Sequence, residues 1–309
     1  MLELTSKMQV NGLNPEINMG GHEMQHIRVA ILDLYNNEPN EGMRCVQQIL
    51  NDFPLFPNQT LSFKIYDVRF RHAIPEMDYD IYISTGGPGS PLEEPGAKWE
   101  KKYFNWIEQL LQHNRQNASS KKHAFFICHS FQLLCRHLDV GDVTKRHSTA
   151  FGIFPIHLTE SGKNEFLFKG LKDPFYAVDS RDWQVVQPNH QKLAKLGATI
   201  LAIEKERKHV NFERAVMTIR FSDEIVGSQF HPEADALGML HYMMRSDKRM
   251  HIIKHHGKEK YDEMLLHLND PDKLLFTQNI ILPAFLNNAI NNSSDSVDQN
   301  ALALKKLSA

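Results

Sequence analysis

The sequence predicts an α/β protein: a mainly parallel central sheet with helices on both faces, an antiparallel extension and extra C-terminal helices. Three observations carry this. In the first half, short apolar runs alternate with stretches whose apolar residues recur at helical spacing, the pattern of strand–helix–strand units. The runs are nearly continuously apolar, as strands buried on both faces require. From Ser148 onward the runs shorten and turn signals separate them, the pattern of antiparallel strands.

In chain order, His26–Leu34 is the first such run. Glu41–Phe53 reads as a helix with Met43, Val46, Ile49 and Leu50 on one side. Leu61–Val68 and Asp80–Ser84 are the next strands, and the second runs into Thr85-Gly86-Gly87-Pro88-Gly89-Ser90-Pro91. A helix over about 97–113 sets Trp99, Tyr103, Trp106 and Leu110 on one face, read as core. Phe125-Phe126-Ile127 ends at Cys128, where a helix pattern begins at once with Phe131, Leu134 and Leu138 sharing a face. Cys135 lies on the core face of that helix and is expected to pack there. Phe151–Leu158, Phe175–Val178, Ala198–Glu204, Ala215–Arg220 and Glu224–Phe230 read as short strands. The last delivers Gln229-Phe230-His231-Pro232-Glu233 ahead of a helix over about 234–246. Tyr261, Met264, Leu265 and Leu268 make one later stripe; Phe285, Leu286, Ala289 and Ile290 make another. The expected organisation is a leader at 1–26, a main domain at 27–246, a helical extension at 247–290 and a disordered tail at 291–309. The extension is expected either to pack back on the sheet or to build a homodimer contact, and the sequence leaves both open.

Composition narrows the function classes. The 309 residues are 41% hydrophobic and 23% charged, enough for a substantial core. A net charge of -2 gives no electrostatic footprint for nucleic acid. The basic stretch from Arg245 to Lys260 carries interleaved acids at Asp247 and Glu259 and reads as a solvated helix face. No apolar run approaches the roughly 20 residues of a membrane helix, so no membrane partner is expected. The first 25 residues lack the charged-then-apolar order of a secretory signal. Cys45, Cys128 and Cys135 are too few and too irregularly spaced for a disulfide framework or a zinc site. A reducing cytoplasmic setting follows as the expectation, with no metal and no cofactor.

Three stretches carry chemistry. A residue at a sharp strand-to-helix turn stands clear of the sheet, near N–H groups whose dipoles favour a thiolate, so Cys128 is a candidate nucleophile. The plain alternative is a small buried hydrophobe. Gly86-Gly87 can bring backbone N–H groups close to a ligand, because no Cβ stands in the way. His231 and Glu233, two residues apart in extended chain, share a side, so the carboxylate can orient the imidazole.

The motifs Ser84-Thr85-Gly86-Gly87-Pro88-Gly89-Ser90, Cys128-His129-Ser130-Phe131-Gln132 and Gln229-Phe230-His231-Pro232-Glu233, in this order, resemble the class I glutamine amidotransferases of the Cys-His-Glu type. Within that family the chain is similar to the glutaminase domain of GMP synthase, over roughly residues 28–245. The resemblance implies a flavodoxin-like fold and a glutaminase reaction. It implies Cys128 as nucleophile, His231 as proton carrier and Glu233 as its holder. It also implies the backbone N–H groups of Gly87 and His129 as the oxyanion hole and Gln132 as a substrate contact; Gly86, Ser180 and Arg181, in the stretches that match, are further candidate substrate contacts. The partners implied are glutamine or another γ-glutamyl small molecule and a separate synthetase subunit. Two departures stand out. The family elbow carries glycines where this chain has Phe126 and Ser130, and Phe126 is expected to pack into a neighbouring groove. The segment Val178–Trp183 lacks the family's Ser-His pair and offers Arg181, either to a ligand carboxylate or to a solvated pair with Asp182. A catalytically silent binding module and, more remotely, an acyltransferase on the same scaffold are the rival readings.

Overall fold

The computed structural model describes residues 24–206, 212–268, 270 and 273–307. The leader expected at 1–26 lies, up to residue 23, outside the described residues. The elements follow in chain order. The first are β1 (Gln25–Asp33), α1 (Glu41–Asn51), β2 (Gln59–Asp67), β3 (Ile81–Ser84), α2 (Lys98–Gln116), β4 (His123–Ile127) and α3 (His129–Leu138). Next come β5 (Asp142–Leu158), α4 (Glu160–Lys163), β6 (Phe175–Val186), α5 (His190–Leu196), β7 (Thr199–Glu204), β8 (Val216–Arg220) and β9 (Ile225–Ser228). The chain closes with α6 (Ala236–Met244), α7 (Ser246–His256), α8 (Lys258–Leu268) and α9 (Leu274–Leu307).

Among the described residues, nine strands form one sheet in the order β2-β1-β3-β4-β9-β8-β7-β5-β6. The pairs from β2 to β9 are parallel. Those from β9 to β6 are antiparallel. The strands alternate their apolar residues between two cores. Ile27, Val29 and Ile31 of β1 join Phe125 and Ile127 of β4 on one face, with Met43, Val46 and Leu50 of α1. Ala30 and Leu32 join Ala124 and Phe126 on the other, with Trp106 of α2 and Leu134 of α3. This is the period-two alternation that lets one short strand serve two layers.

The extension packs back on the sheet. Ile281, Leu282, Phe285, Leu286, Ala289 and Ile290 of α9 are buried in the first core, and the Phe285 ring meets Phe125 edge-on at 5.3 Å. Tyr261, Met264 and Leu268 of α8 cluster with Ile153 of β5 and Val178 of β6. The stretch expected as a disordered tail from Asn291 is helical as far as Leu307.

Two strands are longer than expected. β5 begins at Asp142, in a polar and largely exposed stretch with a register shift between Lys145 and Ala150, so no apolar alternation marks its start. β6 continues through Val186 because its charged residues are paired internally: Arg181 Nε bonds both oxygens of Asp179 at 2.8 and 3.0 Å.

Candidate active site

The carboxyl ends of β1, β3, β4 and β9 open on the same edge of the sheet, where open α/β sheets collect ligands. Cys128 directly follows β4 with φ +50 and ψ -99, a sparsely populated backbone conformation for a residue with a side chain. Three bonds hold this elbow. Cys128 N–H donates to Ser228 O at 2.7 Å. Ser130 Oγ accepts the Ile127 N–H at 2.8 Å and reaches Ser84 O at 2.8 Å, tying β4, α3 and β3 together. Ser130 thus takes a glycine's place while adding a clamp. Phe126 fits for a different reason. It pairs in register with Gly227 of β9, where a Cβ would stand 3.3 Å from Phe126 Cβ and 2.7 Å from the Phe131 ring. The side chain lies beside Trp106, as expected of a residue filling a neighbouring groove.

His231 and Glu233 follow β9. His231 N–H bonds Val178 O at 2.9 Å, which fixes its backbone against β6, and its Nδ1 meets Glu233 Oε1 at 2.8 Å. Cys128 acts on the same ring: a Cβ on Gly86 would meet both His231 Cε1, at 2.9 Å, and Cys128 Cβ, at 3.7 Å. Burial pulls the imidazole pKa down, but the charges of Glu233 and Cys128 outweigh it and hold His231 well above its ordinary value. Burial raises Cys45 to about 12 and raises Cys135 far above its usual range, so neither is a thiolate at neutral pH. Cys128 itself is 5% exposed.

Gly86 and Gly87 follow β3. A Cβ on Gly86 would stand 2.9 Å from His231 Cε1 and 3.7 Å from Cys128 Cβ, so the glycine faces the pair directly. A Cβ on Gly87 would collide with Leu34 O at 2.4 Å, so the loop runs close against the end of β1. Among the described residues, neither the Gly87 nor the His129 N–H donates to a protein acceptor. The loop is held from outside by two guanidiniums. Arg69 Nη1 donates to Pro88 O at 2.6 Å while its guanidinium lies over Trp99, and Arg136 donates to Pro91 O and pairs with Glu100. The His129 side chain is buried and neutral; burial first, then Arg69 and Arg136, lower its pKa to about 3.

The remaining sequence candidates divide. Ser180 reaches the site through its backbone: Cys128 Sγ donates to Ser180 O at 3.8 Å. Gln132 Nε2 donates to Trp183 O and to Gln229 Oε1, both at 3.1 Å. Arg181 is neither a free ligand anchor nor half of a solvated pair with Asp182. It is buried, bonded to Asp179 and 3.4 Å from Glu204, because a guanidinium inside the sheet layer must meet carboxylates. Asp182 bonds Thr149 instead.

Sequence reasoning missed Tyr35, Gly42 and Gln229. Tyr35 leaves the end of β1 and brings its hydroxyl between two glycines. A Cβ on Gly42 would stand 2.4 Å from it, and one on Gly86 3.2 Å. Glu233 Oε1 is also 3.2 Å from the Gly42 position. Gln229 Nε2 donates to Cys128 Sγ at 3.6 Å. Its position two residues before His231 puts it on the same side of an extended chain, but that it meets the sulfur follows only from the pairing of β4 with β9. Among the described residues, no group of three His, Cys, Asp or Glu is set to hold a metal, and no helix is long and apolar enough to cross a membrane.

The molecule is therefore an α/β protein with a cysteine elbow and a His–Glu pair at neighbouring ends of a parallel sheet. The profile of the family "Glutamine amidotransferase class-I" matches residues 32–247, and the chain belongs to that family. A glutamine amidotransferase from Thermotoga maritima has a similar fold, with TM-score 0.62 and 17% identity over 86% of this chain and 99% of its own. The structure of a protein designated SMU.1228c is also similar, with TM-score 0.57 and 17% identity over 85% and 99%. No curated protein matches the chain.

Proposed function

We propose that the protein is an amide hydrolase that releases ammonia from glutamine, or from a related γ-glutamyl compound, through a thioester on Cys128. The observation that carries this is the setting of His231, whose Nδ1 meets Glu233 Oε1 at 2.8 Å and whose pKa is raised by Glu233 and by the neighbouring Cys128 against the effect of burial. His231 takes the thiol proton. The Cys128 sulfur attacks the side-chain amide carbon, and the developing oxyanion lies toward the undonated N–H groups of Gly87 and His129. His231 returns the proton to the leaving nitrogen, which departs as ammonia. Water then opens the thioester to give glutamate and free Cys128.

Gly86, Gln132 and Ser180 are the proposed substrate contacts; Gly86 and the Ser180 carbonyl lie against Cys128. Arg181 acts on the substrate only through the conformation of β6, since its own hydrogen bonds go to protein. The ammonia would be consumed by a synthetase partner.

Ammonia release from L-glutamine by the purified chain, beside Cys128→Ala and with labelling by a glutamine-analogue electrophile, tests this. Release that vanishes in Cys128→Ala is the expected result. Labelling of Cys128 without release would favour another γ-glutamyl substrate or a hydrolase awaiting its synthetase. Neither release nor labelling would overturn the reading in favour of a silent binding module.

A further inference from the structure

Cys128 Sγ sits between two neutral groups of opposite preference. Ser180 O, 3.8 Å away, can only accept, and so favours the thiol. Gln229 Nε2, 3.6 Å away, can only donate, and so favours the thiolate. The orientation of Gln229 follows from its surroundings. The residue is fully buried, and its N–H bonds Met217 O at 2.8 Å, which fixes the backbone. Its Oε1 receives Gln132 Nε2 at 3.1 Å, and that same nitrogen gives its other hydrogen to Trp183 O at 3.1 Å. Trp183 O cannot donate, so Gln132 must present its nitrogen there. Gln229 must then present oxygen to Gln132 and nitrogen to the sulfur. A backbone carbonyl thereby sets both amide flips.

We propose that Gln229 is a positioning residue whose amide N–H, aimed by Gln132, holds the Cys128 sulfur as a thiolate. This rests on the amide-hydrolase reading of Cys128 and adds a residue to it. One donor serves both halves of the reaction. It favours the sulfur anion as nucleophile, and favours it again as leaving group when water opens the thioester. In the thioester itself the sulfur carries no charge and the bond weakens, so the stabilisation is differential.

The other groups facing the sulfur do not duplicate this. His231 brings a positive charge, but only while protonated, and Glu233 stands behind it. The Tyr35 phenol is kept protonated by burial and by the charges of Glu233 and Cys128. His129 of α3 is neutral, with Arg69 and Arg136 beside it. Cys45 of α1 is a thiol, and Asp179 and Arg181 of β6 are spent on each other. Gln229 thus supplies a sulfur donor that is independent of pH.

The rate of Cys128 alkylation by iodoacetamide against pH, in the full chain, reads the thiolate without requiring turnover. Cys128→Ser is the blank for Cys45 and Cys135. Gln229→Met keeps the volume and drops the donor; Gln229→Glu puts an anion beside the sulfur. The alkylation midpoint is expected to rise by about one pH unit in Gln229→Met, a roughly tenfold slower reaction below the midpoint. Gln229→Glu is expected to raise it further. Gln132→Met, which frees Gln229 to turn, is expected to move it in the same direction by less, and it carries the test if the Gln229 variants do not fold. An unshifted midpoint in folded variants overturns the proposal and leaves the amide-hydrolase reading standing. No Cys128 labelling above the blank, with no ammonia release, overturns both.

Discussion

His231 carries the clearest charge signature of the site. Its folded pKa is raised, so its contribution to stability is fully present below the unfolded value of 6.5 and is lost as pH rises through the folded pKa. Proton NMR of the ring, assigned with His231→Gln, is expected to find it charged at pH 7, with Glu233→Gln moving its titration down. His123 behaves in the opposite sense. It is buried on β4 with Nδ1 unpartnered, and burial lowers its pKa to about 4. Its neutral form stabilises the fold above pH 6.5, and that stability is lost as pH falls from 6.5 through about 4. The shift corresponds to about 3 kcal/mol at most. His123→Leu is expected to flatten the fall in melting temperature across that window. At this scale Cys128, His231 and Glu233 were legible, because a cysteine, a histidine and a carboxylate each fall just after an apolar run. Tyr35 was not. Its hydroxyl becomes meaningful only when Gly42, from a helix entry, and Gly86, from another strand end, are brought around it.

The elements turn those residues into a site. The elbow depends on a match between neighbours: Phe126 is tolerated because β9 offers Gly227 opposite it. Gly227→Ala would place a methyl 2.7 Å from the Phe131 ring. Overpacking of this kind costs about 1–3 kcal/mol, read as a fall in the unfolding midpoint. The glycine loop after β3 depends on a cation from elsewhere in the fold. Arg69→Ala removes the bond to Pro88 O and the contact with Trp99, so the Gly87 N–H loses its fixed direction. If the amide-hydrolase reading holds, kcat is expected to fall about tenfold, less than the 10²–10³ loss for deleting an oxyanion donor outright, with KM little changed. The strand positions were readable from apolar runs. The first nine residues of β5 and the charged half of β6 were not, since polar strand residues look like loop until their partners are known. Arg181 is the instance: in sequence it invites a ligand or water, whereas in the sheet it is enclosed by Asp179 and Glu204.

Across the whole molecule, α9 closes the face of the sheet that α1 covers only in part. Six of its apolar residues lie in that core. At about 1.5–3 kcal/mol for each fully buried large side chain, their loss would consume a stability that is typically 5–15 kcal/mol in total. A chain ended after residue 246 is therefore expected to lose cooperative unfolding, measured by circular dichroism, and to bind a hydrophobic dye. A truncated chain that melts like the full one would show that α9 is dispensable to the core. The family match ends at residue 247, so this closure is added by segments beyond the matched region. The sequence by itself determined the parallel core, the elbow at Cys128 and the His231–Glu233 pair, because local periodicity and short spacing encode strand, turn and same-side geometry. Only the tertiary structure decided that Arg181 is spent internally, that Gln229 reaches the sulfur and that α9 seals the sheet. Each of those depends on contacts between residues far apart in the chain, where a side chain's partner follows from sheet order and packing and is invisible to any local pattern.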